Sequence, residues 1–259
     1  MRNFFVLLKK EMKENIKNGK WIWLPVAMMA ISISQPLSNY FMSDILEAAG
    51  NLPEGTVIHI PEPTGPEVLM AVLSQYGTIG TVLFVLSSMS AITHERMNGS
   101  LTMVMIRRVS VWEYVGSKFA SQLILLLVSL SAGYLLAGYY TNLLFEPAGW
   151  KEIFGSLLVY SLWIIFVAAL TVLAGTFLSG QGAVAGVSLV FLALLSLLTT
   201  LFPKQMEWSP TNLRVEASGI LQGGDPGSGL WLVSFVTLGL SLLLFVLARL
   251  SFNWFVRYC

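Results

Sequence analysis

The sequence predicts an all-α membrane protein with six transmembrane helices, and three observations carry that expectation. Only 11% of its 259 residues are charged and 55% are hydrophobic, against roughly 25% charged in an average soluble domain. A hydrocarbon core about 30 Å thick takes roughly 20 mostly apolar residues in helix. Five stretches free of Asp, Glu, Lys and Arg reach that length, at 21–43, 68–94, 119–145, 153–203 and 226–248. The fourth is 51 residues long, enough for two crossings, 153–178 and 183–203, with Ser179 to Gly182 (Ser-Gly-Gln-Gly) as the turn between them. The third observation is where the charges lie. With both termini cytoplasmic, 12 of the 15 basic residues fall inside, while Lys151, Lys204, Arg214 and 10 of the 14 acidic residues fall outside.

Residues 1–20 space Phe5, Leu8, Met12 and Ile16 three or four apart, with Lys9, Lys10, Lys13 and Lys17 on the other side. This is the pattern of an amphipathic helix in the inner interface. Gly19 breaks it before Trp21 and Trp23, which stand at the depth of an aromatic belt. The basic start and the apolar run after it read as an uncleaved first span, since no small-x-small cleavage site follows. Pro25 and Pro36 are positions where that span is expected to kink or end. The segment 44–67 carries five acidic residues, no basic ones and four prolines, and reads as an external loop with a short helix at its start. The third span ends among Tyr139, Tyr140 and Trp150, again at interface depth. The second external segment, 204–225, holds an apolar helical stretch from Asn212 to Leu221 that lies on or dips into the outer leaflet. The whole chain, 1–259, is expected to form a single transmembrane domain.

Several chemistries are excluded by what is missing. There is no G-x-x-x-x-G-K-[ST] phosphate cradle, so any nucleotide is bound by another chain. Gly180, Gly182 and Gly186 have the wrong spacing for a dinucleotide fingerprint and read as a tight turn with small packing residues. His59 and His94 fall on opposite sides of the membrane by the charge count, and the single Cys259 offers neither a disulfide nor a metal cluster, so no metal or catalytic centre is expected. Serines in the spans lack a base in the same layer, and bonding to the preceding turn accounts for them. No span has an ionisable residue in its centre, which argues against a proton or sodium carrier. A nucleic-acid partner is not indicated by a net charge of +1.

The remaining candidate is the cytoplasmic loop 95–118. Gly-Ser-Leu-Thr-Met-Val-Met-Ile-Arg-Arg, from Gly99 to Arg108, makes about two and a half turns of helix, too short to span. It reads as a docking helix for a cytoplasmic partner, with Met103 and Met105 as adaptable contacts and Arg107 and Arg108 as charge clamps.

These residues resemble the permease subunits of ABC-2-type transporters. Members of that family carry, after the second span, an acidic residue and Gly-Thr-Leu, a short apolar helix, a Pro-Val-Ser-like turn and a Lys opening the third span. Glu95, Gly99, Ser100 and Leu101 match the first part, Val109 and Ser110 the turn, Glu113 the next helix start and Lys118 the end. Ser100 stands where Thr is usual, and Arg108 where Pro is common. Lys10 and Glu11 match the Lys-Glu pair of the family's interfacial helix, and Ser209-Pro210 with the apolar helix after it matches the external segment before the last span.

The resemblance implies a multi-pass bacterial inner-membrane permease, not itself an enzyme, that pairs with itself or a related chain. It implies two copies of a separate ATPase subunit that bind ATP and Mg, with no cofactor in this chain. The loop after the second span is then the coupling helix: Gly99, Ser100, Leu101, Met103, Met105, Arg107 and Arg108 meet the ATPase, and Glu95 and Arg96 fix the preceding helix end. Export of an amphiphilic peptide, lipid or drug is the expected function. The competing expectation is a membrane immunity or sensor protein that binds a peptide at its outer loops without transport.

Overall fold

The computed structural model describes residues 2–42, 45, 63–100, 109–223 and 228–256. The described residues are mostly helical, and six of the helices are long and apolar enough to cross a membrane. In chain order they are α1 (Arg2–Lys17), α2 (Lys20–Tyr40), α3 (Gly65–Met97), α4 (Val111–Leu144), α5 (Trp150–Phe177), α6 (Gln181–Leu201), α7 (Leu213–Leu221) and α8 (Ser228–Val256). All but α1 and α7 have the length and composition of a span. The short helix expected at the start of 44–67 lies outside the described residues.

Local chemistry explains where these helices start and stop. Gly19 adopts φ 69°, a left-handed conformation that favours glycine, and so separates α1 from α2. Pro25 and Pro36 sit inside α2 without ending it, since contacts from neighbouring helices offset lost backbone bonds in a packed bundle. Thr64 and Glu67 form a reciprocal capping box that starts α3. Within α3 the backbone widens to a π-turn at Tyr76–Gly80. Ser110 and Glu113 form a second capping box, so α4 begins at Val111, ahead of the expected 119. At 1.5 Å per residue its 34 residues run about 51 Å, well beyond the hydrocarbon thickness.

The core forms around α5, which is apolar on all sides and has 67% of its span window buried. It packs against α3, α4, α6, α7 and α8, while the most extensive single contact joins α2 to α4. Peripheral α8 has only 17% of its window buried; Trp231, Phe235, Leu242 and Leu243 point outward, as expected for a lipid-facing helix. At the centre, Tyr76 packs against Tyr134 and Tyr160 with ring centroids 6.4 and 6.2 Å apart. The Tyr76 hydroxyl bonds to Ser32, and that of Tyr134 to Ser156 at 2.7 Å. Several serine and threonine hydroxyls bond to the preceding turn, among them Ser129 to Leu125 O and Thr171 to Val167 O. By contrast, a Cβ added at Gly182 or Gly186 would meet nothing within 4 Å, so neither glycine serves close packing within the chain.

The crossing of α2, α3 and α4 depends on one missing side chain. A Cβ at Gly133 would come within 2.5 Å of the Tyr76 hydroxyl, 2.8 Å of Ser32 Oγ and 3.0 Å of the Met28 carbonyl carbon. Gly133→Ala is expected to destabilise the bundle by about 1–3 kcal/mol through overpacking. Thermal unfolding of the detergent-purified chain checks this, with an unchanged midpoint counting against the crossing described.

Candidate functional site

Three helices meet at one end of the bundle around a charge cluster whose centre is almost closed to solvent. Helix α4 supplies Lys118, which is 1% exposed; α3 supplies Glu95, 2% exposed; α1 supplies Glu11, 6% exposed. The Lys118 ammonium lies 3.0 Å from Glu11 Oε2 and 3.3 Å from Glu95 Oε2, bridging both carboxylates. Glu95 also accepts a hydrogen bond from the Tyr114 hydroxyl at 2.7 Å and one from Lys10. Lys10 Nζ lies 3.4 Å from Glu11 and 3.8 Å from Glu14. Two carboxylates and two ammonium groups thus balance inside a site where either alone would carry a large desolvation cost.

Helix α1 reaches this cluster by an inversion of the soluble pattern. Its buried residues are the polar Glu11 and Asn15, while Phe5 and Ile16 stay exposed. Asn15 donates to Ser121 Oγ at 3.0 Å and accepts from Gln122 at 3.4 Å. The apolar side is left for lipid and the polar side is pinned to α4, a division suited to a helix lying along the bundle at the interface. Burial disfavours the charged form of Glu11 and lifts its carboxyl above the ordinary range, although Lys118 opposes that shift. For Lys10, burial pulls the ammonium down, but its bond to Glu95 and the surrounding carboxylates outweigh it, so its pKa is raised.

Both flanks of the expected docking segment run into this cluster. Before it, Glu95 is held as described, and Arg96 donates to the carbonyls of Thr176 at 3.0 Å and Leu178 at 3.3 Å. A cation thereby satisfies the last carbonyls of α5 and complements its dipole. Gly99 takes φ 67°, which closes α3 through a left-handed turn, and Ser100 Oγ donates to Glu95 O at 3.4 Å. After the segment, Ser110 caps α4, Tyr114 stacks on Phe252 with centroids 5.0 Å apart, and Arg249 lies 4.3 Å from the Trp112 ring. Leu101, Met103, Met105, Arg107 and Arg108 lie outside the described residues. Nearby, Lys20 donates to Ser87 O at 2.6 Å and Ser90 Oγ at 2.8 Å, tying α2 to α3.

The structure therefore brings together Glu95, Lys118 and the Lys10–Glu11 pair, which the sequence offers only as separate motif residues. It adds Tyr114, Asn15 and Gln122, which no spacing rule singles out. It also turns Lys10, expected among the outward lysines of α1, onto Glu95 at the solvent-exposed rim of the cluster. Carboxylate oxygens of Glu11, Glu14 and Glu95 lie within 4.8 Å of one another, close enough to share a cation. The ammonium groups of Lys118 and Lys10 already supply that positive charge.

Two comparisons place the chain among known sequences. A family model described as "Protein of unknown function (DUF2705)" matches residues 56–253, which takes in α3 to α7 and most of α8. A relative from Bacillus subtilis (strain 168), described as "Uncharacterized transmembrane protein YxlG", is 37% identical over 244 residues, covering 94% of this chain and 95% of its own length. With its six apolar helices, the chain is a multi-pass membrane protein.

Removing the bridging cation leaves two buried carboxylates facing each other. Lys118→Met is expected to cost about 3–5 kcal/mol, as breaking a buried pair from one side does. Adding Glu95→Gln to that variant should recover part of the loss. Thermal midpoints of the single and double variants in detergent check both statements.

Proposed function

The chain belongs to the DUF2705 family of proteins of unknown function, and we propose that it is the permease subunit of an ATP-driven transporter of the ABC-2 type, exporting an amphiphilic substrate. In this reading the chain sits in the bacterial inner membrane with both termini in the cytoplasm. It pairs with a second permease chain, identical or related, and with two copies of an ATPase subunit that bind ATP and Mg. The coupling helix is Gly99 to Arg108, with Glu95 and Arg96 fixing the helix end before it.

The observation that carries this reading is the anchoring of both flanks of that segment. Glu95, Tyr114 and Lys118 tie its two ends to each other and to α1, and Arg96 ties the first end to α5. A load applied to the segment is therefore shared among four helices before it reaches lipid. A sensor with no ATPase has no need of such a junction. Charge reversal of Arg107 and Arg108 should abolish capture of a P-loop ATPase from native membranes, together with stimulation of its hydrolysis. The same chain should remain folded, as judged by an unchanged thermal midpoint. Purification from native membrane without any ATPase would overturn the permease reading in favour of a non-transporting sensor.

A further inference from the structure

Away from the charge cluster, a second feature is built around Arg214. The residue count places Arg214 outside the membrane, but α7 packs against α5 and α3 and carries its guanidinium in among the spans. Arg214 Nη1 donates at 3.0 Å to the carbonyl of Gly77, and Nη2 donates at 3.0 Å to Ser196 Oγ. Gly77 lies about 18 Å along α3 from its first residue at 1.5 Å per residue, inside the π-turn. The guanidinium carbon stands 5.1 Å from the Trp163 ring centroid on α5. A Cβ at position 77 would fall 2.5 Å from Arg214 Nη1, so any larger residue there would push the guanidinium from its present place.

Every one of these partners is neutral. Among the described residues no carboxylate lies within ion-pairing distance of Arg214, whereas Lys10 and Lys118 at the other end are paired several times over. Two of the five guanidinium N–H donors are used in the contacts above. An ionisable side chain carried in among membrane helices is costly and is a functional-site candidate by default, and Arg214, on the short α7, reaches α6 at Ser196, five residues before that span ends. Arg214 also forms part of the wall of a cavity of about 690 Å³, within the usual range for a small-molecule site. The rest of that wall is mostly hydrocarbon from two spans, Ile79 and Val82 on α3 and Leu192, Leu197 and Leu201 on α6.

We propose that this cavity binds an amphiphile with an anionic head group, carboxylate or phosphate, held by Arg214 with its hydrocarbon chain along the α3–α6 wall. A cationic amphiphile would meet Arg214 as a like charge. A small polar anion would leave the apolar wall unfilled. As a statement about exported cargo this rests on the permease reading; as a statement about binding it needs no ATPase.

The test uses the full chain in a neutral maltoside detergent and native mass spectrometry to count bound lipid. Lysophosphatidylglycerol and lysophosphatidylcholine of the same acyl chain are compared, and inorganic phosphate is followed by thermal shift. We expect at least about a tenfold preference for the anionic lipid, lost in Arg214→Gln, largely kept in Arg214→Lys and blocked in Ala193→Trp, which adds bulk at an exposed position of the cavity wall. No response to inorganic phosphate is expected. Equal binding of the two lipids, or anionic binding unchanged in Arg214→Gln, would make Arg214 a structural staple only and overturn the proposal. Tight binding of phosphate alone would overturn the amphiphile, and a cross-linked dimer through Leu197→Cys that excludes the lipid would assign the cavity to a second copy. Failure of ATPase capture, by contrast, overturns the permease reading and leaves this site standing.

Discussion

The ammonium of Lys118, enclosed between Glu11 and Glu95, is the interaction on which the arrangement of this end of the bundle depends. A charge buried this deeply carries a large desolvation cost that partners of opposite sign at bonding distance offset, so the Lys118 bridge holds three helices at once. Helix α1 cannot drift along the interface without exposing Glu11 to Glu95 alone. Helix α3 cannot end elsewhere without pulling Glu95 from Tyr114 and Lys118. The turn at Gly99 and the cap at Ser110 then set the directions in which the chain leaves and re-enters.

The spans were legible because lipid selects a crude property, a run of roughly 20 apolar residues, and α2 to α6 and α8 satisfy it. Their ends were less legible. Helix α4 begins early because Ser110 and Glu113 cap it and because Lys118, read as the edge of a loop, is neutralised by residues 107 and 23 positions earlier in the chain. Periodicity reports on neighbours three or four residues apart and is silent about such distances. Lys10 illustrates the same limit, since its place on the lysine face of α1 says nothing of Glu95.

The partners of Arg214 are hidden from the sequence for a different reason. Counting charges assigns a residue to the side of the membrane where its segment lies in sequence, and α7 folds back among the spans. The signals were an arginine in an otherwise apolar stretch and a glycine at position 77, but only the tertiary fold pairs them. The two ends of the molecule thus treat charge differently. At one end Lys118 is bridged by two carboxylates, with Lys20 nearby on neutral oxygens, and at the other Arg214 has neutral partners beside an apolar cavity.

Helix α5 connects these ends. Arg96 grips its last carbonyls at Thr176 and Leu178, and Arg214 rests on its Trp163, 13 residues or about 20 Å away along the same axis. Helix α3 makes a similar journey but is interrupted by the π-turn and again at Met89, whereas α5 runs unbroken from Trp150 to Phe177. An unbroken helix is stiff lengthwise. Arg96 and Trp163 are thus fixed to one continuous rod, so the contact at one end and the contact at the other share a single rigid body, whereas on α3 the widened turn at Tyr76–Gly80 lies in the cavity wall and the break at Met89 separates that wall from Glu95.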